Sequence, residues 1–313
     1  MDSVQADNFL KIRSKKDRYE YFSKGILSTS LYSIGMDSNL VFEIASKVEQ
    51  VVIAASEPIS KEKLVQIIKN EIESVNPQLA ERYEVYEGEE TYKPIIILLA
   101  GVPGIGKSTI ASQISQRLEI TNIIGTDMIR QILRQTISSK LIPELHSSSY
   151  EAYKFLKPKL NPILRQSIVG YEEQCRHIIV GVESAIQTAL YSRENSIIEG
   201  VHLAPNILNP SVLTEPHVKM ILLYLEDEEE HKRRILARGT QVELRKADRY
   251  MTALTEIRNI QTYLVEEATK AKIPIIETSE SGRAVNKIMD KIWDRIVLLD
   301  KGEKKEEDEE PSN

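Results

Sequence analysis

The chain has 313 residues, 41% of them hydrophobic and 28% charged, the composition of a globular protein with room for one large domain or two ordinary ones. A formal net charge of −6 shows no overall bias toward nucleic acid, and no apolar run approaches the ~20 residues of a membrane span. The start Met1-Asp-Ser-Val-Gln-Ala-Asp7 lacks a basic-then-apolar signal layout, so a cytoplasmic protein is expected, and the single cysteine, Cys175, excludes an intrachain disulfide and a multi-cysteine metal site.

Residues up to about Glu90 read as mainly helical. Apolar positions recur at helical spacing in Ile26, Leu27, Leu31, Tyr32 and Ile34, then in Leu40, Val41, Ile44, Val48, Val51 and Val52. A third helix runs from a Ser60 N-cap to about Val75, with Leu64, Ile67, Ile68 and Ile72 on one stripe. The segment Gly88-Glu-Glu-Thr-Tyr-Lys-Pro94 breaks the pattern. It sets a boundary between a small N-terminal domain, residues 1–90, and a larger one, residues 91–298.

The larger domain opens with an apolar run, Ile95 to Ala100, that leads into Gly101-Val-Pro103-Gly104-Ile105-Gly106-Lys107-Ser108-Thr109 and then into a helical pattern. Strand, glycine-rich turn with Lys-Ser, and helix make a complete phosphate-binding P-loop. The glycines let successive backbone N–H groups face phosphate oxygens, and the helix adds the positive end of its dipole. Lys107 would bridge the β- and γ-phosphates and Ser108 would take one coordination site on Mg2+. The loop residues from Gly101 to Thr109 are therefore candidates for holding a nucleotide such as ATP.

Short β-rich runs then alternate with helical patterns: Asn122–Gly125, Ser196–Glu199, Met220–Leu225 and Ile273–Ile276. With the first run they predict an α/β domain built on a five-stranded, doubly wound parallel sheet flanked by helices. The long connection between Asp127 and Asn195 predicts several helices. Ligands in such sheets bind at the carboxyl ends of the strands.

The second strand ends in Gly125-Thr126-Asp127, with Arg130 three residues on. Asp127 is placed to hold Mg2+ through water or to orient an acceptor hydroxyl, and Arg130 to grip an anionic acceptor. The third strand ends in Glu199-Gly200-Val201-His202, making Glu199 a second acidic candidate and His202 a polar neighbour. His146 and Arg176 lie in the segment expected to form the acceptor pocket. After the fourth strand an acidic run is followed by Arg234 and Arg238 near a Gly-containing segment, which suits a lid that closes over phosphates. Residues 299–313 close the chain, with three lysines against seven acidic residues and almost no apolar ones, and predict a disordered acidic tail.

These segments resemble the archaeal 2-phosphoglycerate kinase family over nearly the whole chain. The resemblance is carried by the P-loop, Ile124-Gly-Thr-Asp127-Met-Ile-Arg130, Leu141-Ile-Pro-Glu-Leu-His146-Ser-Ser-Ser-Tyr150, Ile198-Glu-Gly-Val-His202-Leu203, and Tyr250 through Arg258 to Gln261. It implies a nucleoside-monophosphate-kinase-like P-loop NTPase fold and ATP- and Mg2+-dependent phosphorylation of 2-phosphoglycerate to 2,3-bisphosphoglycerate. By the same analogy Lys107 and Ser108 hold the phosphates and metal, Asp127 orients or deprotonates the acceptor hydroxyl, Arg130 engages the acceptor's carboxylate or phosphate, and Arg238 caps the transferring group. By their places in the sequence Glu199 joins the catalytic candidates, Arg234 the ATP contacts, and His146, Arg176 and His202 the acceptor candidates. The N-terminal part resembles an ATP-cone module, a small domain that in other proteins binds a regulatory nucleotide; its usual basic strand-and-turn has a partial counterpart in Lys11-Ile-Arg-Ser-Lys-Lys-Asp17. Two other readings of the chain stay open: a nucleotide-sensing regulatory protein with little turnover, and a P-loop kinase acting on an aminoacyl-RNA, against which the lack of net positive charge counts.

Overall fold

An apolar run as unbroken as Ile95 to Ala100 is satisfied only where both faces of a strand are covered. In the computed structural model, which describes residues 11–13, 19–88, 94–156, 166–242 and 251–309, the side chains of 238–242 and 303–309 excepted, all five residues of the corresponding strand are 0% exposed. The chain divides into two compact units, one formed by residues 1–91 with 293–313 and the other by residues 92–292.

The first unit is mainly helical. Strands β1 (Lys11–Arg13), β2 (Tyr19–Tyr21) and β3 (Ile59–Ser60) form a small sheet in the order β2-β1-β3, β2 antiparallel and β3 parallel to β1. Helix α1 (Lys24–Ser33) is capped by Ser23, α2 (Ser38–Ala54) by Asp37, α3 (Lys61–Glu73) by Ser60, and α4 (Pro77–Glu87) by Asn76 with a proline at its first turn. The expected stripes meet in the core, where Leu31, Val41, Ile44, Val48 and Ile72 are buried. The three strands are of two or three residues, too short to show a period in sequence. The last helix, α11 (Ser281–Glu309), contributes Trp293, whose indole N–H donates to the Ser33 carbonyl at 2.7 Å. Residues 299–309, predicted to be disordered, are instead the last turns of this helix. Lysine and glutamate are good helix formers, and extending a helix already nucleated needs no core of their own.

The second unit holds a five-stranded, all-parallel sheet: β4 (Ile96–Ala100), β5 (Asn122–Gly125), β6 (Ser196–Gly200), β7 (Val218–Tyr224) and β8 (Ile275–Glu277), in the order β5-β6-β4-β7-β8. Helices α5 (Lys107–Arg117), α6 (Thr126–Thr136), α7 (Gln166–Ser192), α8 (Pro210–Thr214), α9 (Glu228–Val242) and α10 (Leu254–Lys270) flank it. The long connection before β6 contains α6, two short 3-10 turns at Pro143–His146 and Ala152–Phe155, and the 27-residue α7, which buries Tyr171, Gln174, Cys175, Ile178, Val182 and Ile186 along one stripe. Cys175 is buried, and burial raises its thiol pKa, so it behaves as an inert core residue. No helix among the described residues is long and apolar enough to cross a membrane.

Candidate active site

Strand register decides what meets at the carboxyl end of the sheet. Glu199 on β6 lies opposite Leu99 of β4 on one side and Gly125 of β5 on the other, so the P-loop, Glu199 and the Thr126–Asp127 corner emerge at one level from three adjacent strands.

The P-loop turns on Gly101, Gly104 and Gly106, whose φ values are 148°, 88° and 95°. At Gly104 a side chain is excluded twice over: its Cβ would lie 2.7 Å from Ile235 Cγ1 and 3.0 Å from His231 Nε2. Gly106 is the N-cap of α5 and no side chain caps that terminus, leaving its N–H groups to an anionic ligand. Lys107 is buried and donates Nζ to the Val102 carbonyl at 2.8 Å. Ile105 packs its buried side chain against Gly101 and offers the loop its backbone. Thr109 is exposed on the first turn of α5.

Ser108 Oγ donates to Glu199 Oε1 at 2.7 Å. Two hard oxygens held together at the phosphate loop fit Mg2+, an ion that takes one or two protein oxygens and keeps most of its water. Among the described residues no group of three His, Cys, Asp or Glu side chains makes a fuller cage. Asp127, the other expected metal neighbour, has an exposed carboxylate that accepts from Arg130 Nε at 3.2 Å. Desolvation pushes its pKa up, but interaction with His202 and with the Arg130 guanidinium outweighs this and holds the carboxyl below its ordinary range. Arg130 is largely covered, and its Nη1 donates to the carbonyls of Leu145 (3.3 Å) and Ser147 (2.9 Å).

His202 is placed differently from expectation. It is fully buried: Nδ1 meets Thr126 Oγ1 at 2.9 Å and Nε2 meets Gln174 Oε1 at 3.1 Å. Gln174 in turn donates Nε2 to the carbonyls of Glu144 and Ser147. Because the amide nitrogen is engaged as donor, its oxygen accepts from His202 Nε2–H, and the neutral ring accepts the Thr126 hydroxyl at Nδ1. Burial lowers the His202 pKa to about 4, consistent with a ring that stays neutral at pH 7. His202 therefore braces the Thr126–Asp127 corner from behind. Gly200 leaves room for Thr126: its φ is 158°, and a Cβ there would lie 1.8 Å from Thr126 Oγ1.

Of the remaining candidates, His146 is half-buried and uses Nε2 on the Ile137 carbonyl at 2.9 Å. Arg176 is exposed and pairs with Glu172 and Glu173 on its own helix, each at 3.5 Å, so its described contacts do not join it to the loop. Arg234 is at the loop: Nη1 donates to the Ile105 carbonyl at 3.1 Å, Nη2 to Thr278 and Ser279 carbonyls at 2.9 and 2.8 Å, and Nε to Glu230 at 2.7 Å. Arg238 lies one turn further along α9, and its side chain is outside the described residues.

Three residues outside the candidate set also bond within this region. Thr126 and Gln174 complete the His202 chain, and His231 on α9 meets the P-loop, Nε2 to the Pro103 carbonyl at 2.8 Å. The signal for His231 was its place on one helical stripe with Arg234, Ile235 and Arg238, hidden by the acidic and basic residues around it. Burial lowers the His231 pKa, so it too is neutral at pH 7 and donates through Nε2–H.

No family model matches the chain. Among curated proteins it is 37% identical over 300 residues to the 2-phosphoglycerate kinase of Methanopyrus kandleri, covering 94% of this chain and 90% of that protein. It is 35% identical over 299 residues to that of Methanocaldococcus jannaschii, covering 95% of each, and 33% identical over 279 residues to that of Methanothermobacter thermautotrophicus, covering 88% and 91%. Solved structures of a Bacteroides thetaiotaomicron shikimate kinase and a Sinorhizobium meliloti gluconokinase, each 15% identical over 66% of this chain and covering 97% and 93% of theirs, align with TM-scores of 0.33 and 0.36, values on which nothing rests.

Proposed function

The chain belongs to the 2-phosphoglycerate kinase family, and from that membership we propose that it transfers the γ-phosphoryl group of ATP to the free hydroxyl of 2-phosphoglycerate, giving ADP and 2,3-bisphosphoglycerate. The observation that carries the reading is the strand register, which sets a complete P-loop beside the Ser108–Glu199 pair and the Asp127–Arg130 pair at one end of the sheet.

On this reading the loop N–H groups and Lys107 hold the β- and γ-phosphates, while Ser108 and Glu199 hold the Mg2+ that neutralises phosphate charge. The acceptor's hydroxyl oxygen forms the new bond to phosphorus as the bond to the β,γ-bridging oxygen breaks, and the hydroxyl proton leaves toward Asp127. A carboxylate held below its ordinary pKa is a weak base but an always available acceptor, which suits a loose transition state that asks mainly for positioning. Arg130 stands beside Asp127 to meet an acceptor anion. Arg238, one turn after Arg234 on α9, would supply charge to the transferring group.

Incubation of the protein with ATP, Mg2+ and 2-phosphoglycerate, followed by phosphorus NMR, is expected to yield 2,3-bisphosphoglycerate and ADP in equal amounts. ADP release that does not depend on any phosphorylated hydroxy acid overturns the kinase reading.

A further inference from the structure

The P-loop presents its N–H groups inward, and the carbonyls that alternate with them must be satisfied from outside. One helix does this at two positions. His231 and Arg234, one turn apart on α9, donate to the carbonyls of Pro103 at 2.8 Å and Ile105 at 3.1 Å. Between these two residues lies Gly104, against which His231 and Ile235 pack so closely that a methyl group there would clash with Ile235 and crowd His231. Arg234 also reaches the Thr278 and Ser279 carbonyls beyond β8, so its own position is held from two further points. The other ring nitrogen of His231, Nδ1, is buried with no hydrogen-bond partner among the described residues. A side chain present only to fill space would avoid that cost, so what the histidine adds is its N–H to Pro103.

We propose that His231 is a positioning residue for nucleotide binding, its Nε2–H fixing the Pro103 peptide so that the inward N–H groups of the P-loop are set for the ATP phosphates before ATP arrives. The proposal rests on the kinase reading for the identity of the ligand. It predicts that removing the donor weakens ATP without altering the acceptor side, since among the described hydrogen bonds His231 bonds Pro103 while Asp127, Arg130 and Glu199 bond other groups.

The test uses a matched pair in the full-length chain. His231→Gln keeps an N–H near the Nε2 position, and His231→Met has the same unbranched length without one; both residues are good helix formers. ATP binding in Mg2+ is measured by calorimetry without acceptor, acceptor KM by steady-state kinetics, and folding by the thermal midpoint. His231→Met is expected to raise the Kd for ATP at least tenfold with acceptor KM unchanged, and His231→Gln to stay within threefold of the unmodified protein. A folded His231→Met that binds ATP normally overturns the assignment, as does a folded His231→Gln that binds tenfold more weakly. The second outcome decides the matter even if the Met variant does not fold. Absence of ATP binding by the unmodified protein overturns the kinase reading instead, which separates the two failures.

Discussion

At the scale of single residues, the most consequential side chain behind the Thr126–Asp127 corner is one that touches no solvent. His202 accepts from Thr126 and donates to Gln174, an arrangement only the neutral ring satisfies. Its pKa falls from 6.5 in the unfolded chain to about 4 in the folded one, so between these values the unfolded chain binds the proton and the folded one does not. Stability is therefore complete above about pH 6.5 and is lost as pH falls toward 4, by on the order of 3 kcal/mol at full effect. Urea unfolding at a series of pH values is expected to show this slope, and His202→Gln to be less stable at pH 7 but flatter in acid. An unchanged slope in that variant would remove His202 as the cause. His231, also buried and neutral, contributes in the same direction, so some slope remains. Asp127 and Glu199 stood out in sequence because each sits at the carboxyl end of a short β-rich run, with Arg130 three residues after Asp127. The inward role of His202 was not, because a histidine at a strand end has the same signature whether it faces ligand or core.

At the scale of elements, the end of β6 and the start of α6 are packed without slack. Gly200→Ala would drive a methyl group into Thr126, the residue that precedes Asp127 and holds His202. We expect a loss of about 1–3 kcal/mol, as for overpacking, and a fall in kcat larger than any change in ATP affinity, because the displaced residues lie on the acceptor side. Thermal unfolding and the kcat-to-KM split measure the two effects; an ATP Kd that rises in step with the loss of kcat would contradict the placement. All five strands of the parallel sheet were legible, since each is an apolar run followed by a change of period. The small sheet of the first unit was not, because pairing of two- and three-residue strands is decided by partners distant in sequence: Ile12 lies opposite Ile59. The helical end of the chain was missed for a different reason. Composition reports the lack of a core, but not that a preceding helix, anchored by Trp293, supplies the nucleus.

At the scale of the second unit, the strand order β5-β6-β4-β7-β8 places the P-loop strand in the middle. What is proposed for the acceptor follows β5 and β6, on one side of it: Asp127, Arg130 and the His202 chain. Everything that grips the loop from behind follows β7 and β8, on the other: His231, Arg234, Thr278 and Ser279. Substitutions on opposite flanks share no partner, so their effects on kcat/KM are expected to add within about 0.5 kcal/mol, as for independent sites. His231→Met combined with Gln174→Leu tests this, and a coupling well above that value would mean that the flanks communicate. If they do not, the sheet is a divided workbench: the choice of molecule to be phosphorylated can be redrafted at the corner after β5 and the turn after β6, with Glu199 and the rest of the machinery that grasps ATP inherited intact.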